Sequence, residues 1–253
     1  MDCFDELVRV MARLRAPDGC PWDREQTHSS LRPYLLEETH EALEALDAED
    51  WRRLCEELGD LMLQIVFHAQ VAAERGDFDV EDVIAGIVAK LHRRHPHVFG
   101  DVQVSGSAEV LDRWEKLKRE ESGYEDRESA LDGVPESLPA LQRAHKLQRR
   151  AARVGFDWDD ARGARAKIDE ELAEVDAAAD GALEDEIGDL LFAVVNYARL
   201  RGVEPESALR RASARFARRF RAVERAAGSP ERLREMTLGQ MDELWEQAKA
   251  EEA

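Results

Sequence analysis

The chain has 253 residues, 43% of them hydrophobic and 36% charged, with 55 acidic against 36 basic side chains and a formal net charge of -19. So acidic a surface repels nucleic acid and anionic lipid, and it repels free polyphosphates unless cations or local basic groups intervene. Cys3, Cys20 and Cys55 are odd in number and show no paired spacing, no run approaches the ~18 apolar residues of a membrane span, and the first residues lack a basic leader. The expectation is a cytoplasmic protein that binds neither nucleic acid nor membrane.

Leu, Ala, Glu and Arg dominate and period-two alternation is nearly absent, which predicts an all-α fold. Helical periodicity begins at once in FDELVRVMARLRA and stops at the turn-rich stretch Pro17 to Asp23. Further helices are expected over Leu31 to Leu46, Trp51 to Arg75 and Asp77 to Arg94, the last closed by His95-Pro96. Another runs through Trp114 and Lys118. The polar, glycine- and proline-containing stretch Glu121 to Pro139 reads as a linker. Beyond it, helices are expected near Leu141 to Arg153, Arg165 to Ala178, Leu183 to Arg201, Glu206 to Ala226 and Leu238 to Glu251. The histidines of HRRHPH (His92, His95, His97) fit a helix C-terminus better than a metal site.

The two halves repeat one another. LLEETHEAL followed by CEELGDLML corresponds to KIDEELAEV followed by EDEIGDLLF. Each half then carries a basic pair, Lys90 with Arg94 and Arg215 with Arg219, and ends in a Trp-x-x-x-Lys, Trp114 with Lys118 and Trp245 with Lys249. The repeated acids are Glu38, Glu41, Glu57 and Asp60 in the first half, and Glu171, Glu174, Glu186 and Asp189 in the second.

Each acidic pair is spaced i, i+3, so its carboxylates share one helix face. Each quartet also balances about a polar connection, near residue 49 in the first half and residue 180 in the second. An antiparallel hairpin would therefore set the two pairs at equal height, facing one another. Four such carboxylates repel unless a cation joins them, and an all-oxygen donor set suits Mg²⁺, with Mn²⁺ as substitute, rather than Zn²⁺. Gly59 and Gly188 stand between the last two acids of each set. Glycine inside a helix costs about 1 kcal/mol against alanine, so its recurrence predicts close approach of a neighbouring helix or ligand. Arg215, Arg219, Trp245 and Lys249, taken alone, read as ordinary helix charge beside a core tryptophan.

The segments GCPWDREQT, YLLEETHEAL, ELGDLMLQIVFHAQ, KLHRRHPHVFGD, RWEKLK, SLPALQRAHKLQ, VGFDW, EDEIGDLLFAVVNYAR and FARRFRAVE, in that order, resemble the bacterial MazG nucleoside triphosphate pyrophosphohydrolases over nearly the whole chain. The resemblance implies tandem helical-bundle MazG domains of the all-α NTP pyrophosphatase class, over residues 1–120 and 140–253 with 121–139 as linker. It implies a homodimer and Mg²⁺-dependent cleavage of nucleoside triphosphates between the α and β phosphates, with broad base tolerance. Carried over, the metal ligands of the second half are Glu171, Glu174, Glu186 and Asp189, and the triphosphate contacts are Arg215, Arg219, Trp245 and Lys249. The substrate candidates also include Lys167, one turn before Glu171. A lysine is usual in the family where Arg215 stands, which keeps the charge and changes the geometry.

The expected chemistry is in-line attack of water on the α-phosphorus, with Glu171, Glu174 and the adjacent Glu170 as the catalytic carboxylates. The first half keeps all four acids, so its site is either active, confined to binding, or a relic. A base-selective dNTP pyrophosphatase and a nucleotide- or alarmone-binding regulator with one inactive half are the alternatives.

Overall fold

The computed structural model describes residues 3–104, 106, 109–110, 129–179 and 181–252. Trp114, Lys118 and residues 121–128 of the expected linker lie outside the described residues. Among the described residues the regular structure is entirely helical, as expected, and no helix is long and apolar enough to cross a membrane. The chain divides into two compact units, Met1–Glu125 and Asp126–Ala253.

The first unit contains α1 (Cys3–Arg15), α2 (Pro21–Glu25), α3 (His28–Asp47), α4 (Trp51–Ala73), α5 (Val80–Arg94) and α6 (Pro96–Phe99). Helix α3 starts three residues before its expected apolar start because Thr27 and Ser30 form a reciprocal capping box. Its connection to α4 is tight: Glu49 takes a positive φ of 54°, and Asp50 caps α4 by accepting from the Arg53 amide at 3.0 Å. Helix α2 begins inside the stretch Pro17 to Asp23 that reads as a turn, because Pro21 occupies a first-turn position where its missing N–H costs nothing.

Helices α3 and α4 form the central hairpin of this unit, with α1 laid across α4. Their core is Met11, Leu31, Val66, Phe67 and Val71, flanked by Leu7, Leu14, Leu63 and Val80. Arg15 locks α1 down. Its guanidinium reaches Glu74 at 2.7 Å and the Gln26 carbonyl at 3.2 Å, and lies 5.5 Å from the Phe67 ring centre. Gly19 is required after α1, since a Cβ there would sit 2.2 Å from the Leu14 carbonyl oxygen.

The second unit contains α7 (Ala140–Arg153), α8 (Ala161–Ala177), α9 (Leu183–Leu200), α10 (Pro205–Ala227), α11 (Pro230–Glu235) and α12 (Leu238–Ala250). Helices α8 and α9 form the hairpin, α7 packs on α9, and α10 packs on α7 and α12. Asp160 caps α8 four residues earlier than the apolar pattern suggests. No side-chain cap holds α9, but Glu184, Asp185 and Glu186 fill its first turn, where the helix dipole favours negative charge. Arg150 is buried, and its charge is met by the carbonyls of Ala130, Asp132 and Gly133.

Candidate functional site

The hairpins bring the acids together as their spacing predicts. In the first unit, carboxylate oxygens of Glu38, Glu41 and Glu57 all lie within 4.8 Å of one another; in the second, those of Glu171, Glu174 and Glu186 do the same. Asp60 and Asp189 stand outside these groups of three, but Asp60 lies close enough to raise the Glu38 carboxyl, and Asp189 shares a cavity wall with Glu171.

The electrostatics follow from like charges crowded on partly desolvated helix faces. Burial, then Asp60 and Glu41, hold Glu38 above the usual glutamate range. The charge of Glu57 does the same to Glu41. In the second unit, Glu174 is raised by burial and then by Glu171.

The units differ in how a cation answers the acids. In the first, Arg53 on α4 donates to Glu57 at 3.0 Å and reaches Glu44 at 3.3 Å. In the second, Lys167 on α8 lies 2.6 Å from Glu171 and 2.8 Å from Glu170, which hold its ammonium well above the usual lysine range. Glu171 is only 4% exposed, and its other oxygen, Oε2, is buried without a hydrogen-bond partner. An orphaned carboxylate oxygen costs free energy unless a ligand completes it. Glu170 is exposed, outside the acidic group, and held by Lys167.

The basic candidates form a separate cluster on α10 and α12. The Arg219 guanidinium lies 5.9 Å from the Trp245 ring centre and donates to Glu252 at 2.7 Å. Arg218 shares Glu252 at 2.6 Å, and the two arginines push that carboxyl down to about 2. Phe216 packs against Trp245 at 5.2 Å, and Lys249 pairs with Glu246 at 2.8 Å. Arg215 stands one turn before Arg219 on α10. The partners of Arg219 and Lys249 are thus glutamates of the chain's last turns, not the Glu171 cluster.

Of the two approaches expected at Gly59 and Gly188, that of a neighbouring helix is not found among the described residues. A Cβ at either position would meet nothing within 4 Å among the described residues. Beside each glycine runs an exposed apolar stripe at matching positions: Leu58, Met62 and Ile65 on α4, and Ile187, Leu191 and Val194 on α9.

A feature absent from the sequence reading adjoins the acids of the second unit. A cavity of about 840 Å³ is walled by Glu171, Asp189 and Lys167 at one side and by Gln148, Phe192 and Asn196 at another, with Phe156 and Trp158 also lining it. The Gln148 Nε2 donates to the Phe192 carbonyl at 2.8 Å, and its Oε1 is buried without a partner. The Asn196 oxygen accepts from Arg199 Nε at 2.8 Å. Arg199 also pairs with Asp157, holding that carboxyl below the usual aspartate range and tying the Gly155–Trp158 turn to α9. Gly163 gives the Trp158 indole its place, since a Cβ there would fall 2.2 Å from the ring. The aromatic-glycine run VGFDW was the visible signal; the amides needed the fold to bring them together.

A model of the MazG nucleotide pyrophosphohydrolase domain matches residues 26–99 and 164–223. The chain is 50% identical over 262 residues to the nucleoside triphosphate pyrophosphohydrolase of Escherichia coli K12, covering 100% of this chain and 99% of that one. It is 47% identical over 248 residues to the nucleoside triphosphate pyrophosphohydrolase/pyrophosphatase MazG of Thermotoga maritima, covering 97% of this chain and 95% of that one. A crystal structure of a mazG-related protein from Thermotoga maritima aligns with a TM-score of 0.40 at 28% identity, over 46% of this chain and 98% of that one.

Proposed function

The chain belongs to the MazG nucleotide pyrophosphohydrolase family, and on that premise we propose how its side chains divide the work of cutting a nucleoside triphosphate into monophosphate and pyrophosphate. The observation that carries the assignment of residues is the buried Glu171 carboxylate with one oxygen unpartnered, grouped with Glu174 and Glu186 within 4.8 Å.

The donor set fits a hard divalent cation, because every ligand atom is a carboxylate oxygen. Glu171, Glu174, Glu186 and Asp189 would hold Mg²⁺, or Mn²⁺ in its place, in the second unit; Glu38, Glu41, Glu57 and Asp60 form the corresponding set in the first. The ion would supply Lewis acidity at the phosphoryl oxygens and charge against the -19 field.

The protein's own side chains do the rest. Lys167 orients Glu171 through its 2.6 Å contact and presents positive charge to the polyphosphate. Glu174, if not fully taken up as a ligand, would be the carboxylate placed to accept a proton from the attacking water. Glu170 is the second candidate for that role. The water attacks the α-phosphorus in line, and pyrophosphate leaves. Arg215, Arg219 and Lys249 hold the β- and γ-phosphates and stabilise the charge that develops, with the Trp245 ring 5.9 Å from the Arg219 guanidinium.

The working form is a homodimer located in the cytoplasm. The exposed stripes on α4 and α9 support a second copy packing there, and the bare glycines beside them leave room for it. The tandem MazG domains span 1–120 and 140–253. Base tolerance is broad, which suits clearance of the nucleotide pool.

The test of the residue assignment is turnover of Mg·ATP by Glu171→Ala. Activity falls by several orders of magnitude while far-UV circular dichroism is unchanged. Turnover close to wild type in that variant contradicts the assignment.

A further inference from the structure

We propose that Glu252 stands in for substrate phosphate: its carboxylate occupies the Arg219 guanidinium in the free protein and gives way when a polyphosphate binds there. The inference rests on the pyrophosphohydrolase reading above and adds to it a control that the chain exerts on its own phosphate subsite. Glu252 lies in the turn that follows α12, and its two oxygens go to neighbouring arginines of α10. Arg218 Nε donates to Oε1 at 2.6 Å, and Arg219 Nε donates to Oε2 at 2.7 Å. A carboxylate offers a guanidinium the same kind of charged acceptor oxygen that a phosphate offers. By holding Nε, Glu252 takes one donor of the Arg219 fork and offsets the charge that a phosphate would meet. The aromatic side of Arg219 is already occupied: Trp245, packed on Phe216 at 5.2 Å, lies 5.9 Å from the guanidinium.

Glu246 also answers a cation of the subsite, but it competes far less. It stands three residues before Lys249 on α12, and the side chains of that pair are 42% exposed for the lysine and 59% for the glutamate. Water screens an exposed pair of this kind, and it contributes little. Arg219 and Glu252 are only 23% and 24% exposed, and a second guanidinium, that of Arg218, holds the carboxylate in place. The two arginines push the Glu252 carboxyl down to about 2, so it is charged throughout the neutral and mildly acidic range. Arg218 also decides where the carboxylate goes. When Arg219 turns to phosphate, Glu252 keeps its bond to Arg218, so the turn stays attached to α10 while the subsite opens. A resting state with Arg219 occupied lowers the apparent affinity for every anion that needs Arg219, in proportion to the fraction of molecules in which that arginine is free.

Glu252→Gln keeps the size of the side chain and removes its charge, and steady-state kinetics with Mg·ATP read the effect. KM falls about fivefold, the scale of one partly covered ion pair, and kcat stays within about twofold of wild type. Calorimetric binding of the non-hydrolysable α,β-methylene ATP shows the same gain in affinity. Glu246→Gln, the neighbouring control, changes KM by less than about twofold. In an Arg219→Ala background the gain disappears, since Glu252→Gln then has no guanidinium of the subsite to release. A KM that is unchanged or raised in Glu252→Gln overturns the proposal and makes the contact a brace between α10 and the turn after α12. So does a gain of the same size in Glu246→Gln or in the Arg219→Ala background. Failure of the wild-type protein to release pyrophosphate from Mg·ATP is instead a failure of the underlying functional reading.

Discussion

Lys167 Nζ lies 2.6 Å from Glu171 Oε1, while Oε2 of the same carboxylate is buried without a partner. The lysine thus neutralises one side of an acidic group whose other side is left for a ligand. Removing the lysine should weaken the hold on anionic substrate and remove a competitor for the cation. Lys167→Met is expected to raise KM for ATP about tenfold and to lower the Mg²⁺ concentration for half-maximal binding. Steady-state kinetics and a Mg²⁺ titration followed by calorimetry check both directions.

The first unit meets its acids differently. Arg53 already occupies Glu57 at 3.0 Å and extends to Glu44, and no buried orphan oxygen is found on its described acids. Glu57→Ala should leave turnover of nucleoside triphosphates within about twofold of wild type, against the large loss expected for Glu171→Ala. A comparable collapse in both variants would mean that the first unit is also catalytic.

Arg219 and Arg218 share the Glu252 carboxylate, yet only Arg219 stacks beside Trp245. Arg219→Ala and Lys249→Ala should each lower kcat/KM by roughly 10²-fold, the scale of a removed charge-stabilising donor. Arg218→Ala, which loses the same glutamate contact, should change it little. Matching losses at the two arginines would show that Glu252 anchoring of the helix end, rather than phosphate binding, is at stake.

The hairpin and the facing acids were legible because they depend on local geometry. A side chain three residues on shares a helix face, and equal arm lengths about a turn set the height of Glu41 against Glu57 and Glu174 against Glu186. The cavity was not legible, because Gln148 on α7, the turn at Phe156 and Asn196 on α9 meet only through tertiary packing. The start of helix α2 was hidden in PDGCPWD because the proline that reads as a breaker is also a favoured first-turn residue. Gly59 and Gly188 meet no neighbouring helix among the described residues.

His28 and His68 meet Nδ1 to Nδ1 at 2.8 Å with stacked rings, so at most one of these nitrogens carries a proton in that contact. Burial, then the neighbouring His28, lowers His68 below its ordinary 6.5. The unfolded chain therefore binds the proton more readily, and stability rises with pH across the window. The contribution is complete above pH 6.5 and is lost as pH falls through the lowered folded value. Glu38, Glu41 and Glu174, raised when folded, pull the other way at lower pH. Thermal melts from pH 8 to pH 5 should show wild type losing more stability than His68→Leu, and parallel curves would remove the histidine pair from the account.

Cleavage between the α and β phosphates is read most directly by ³¹P NMR of the products formed from Mg·ATP. AMP and pyrophosphate are expected, with both signals lost when EDTA removes the cation. ADP and orthophosphate would place the attack at the γ-phosphorus and contradict it.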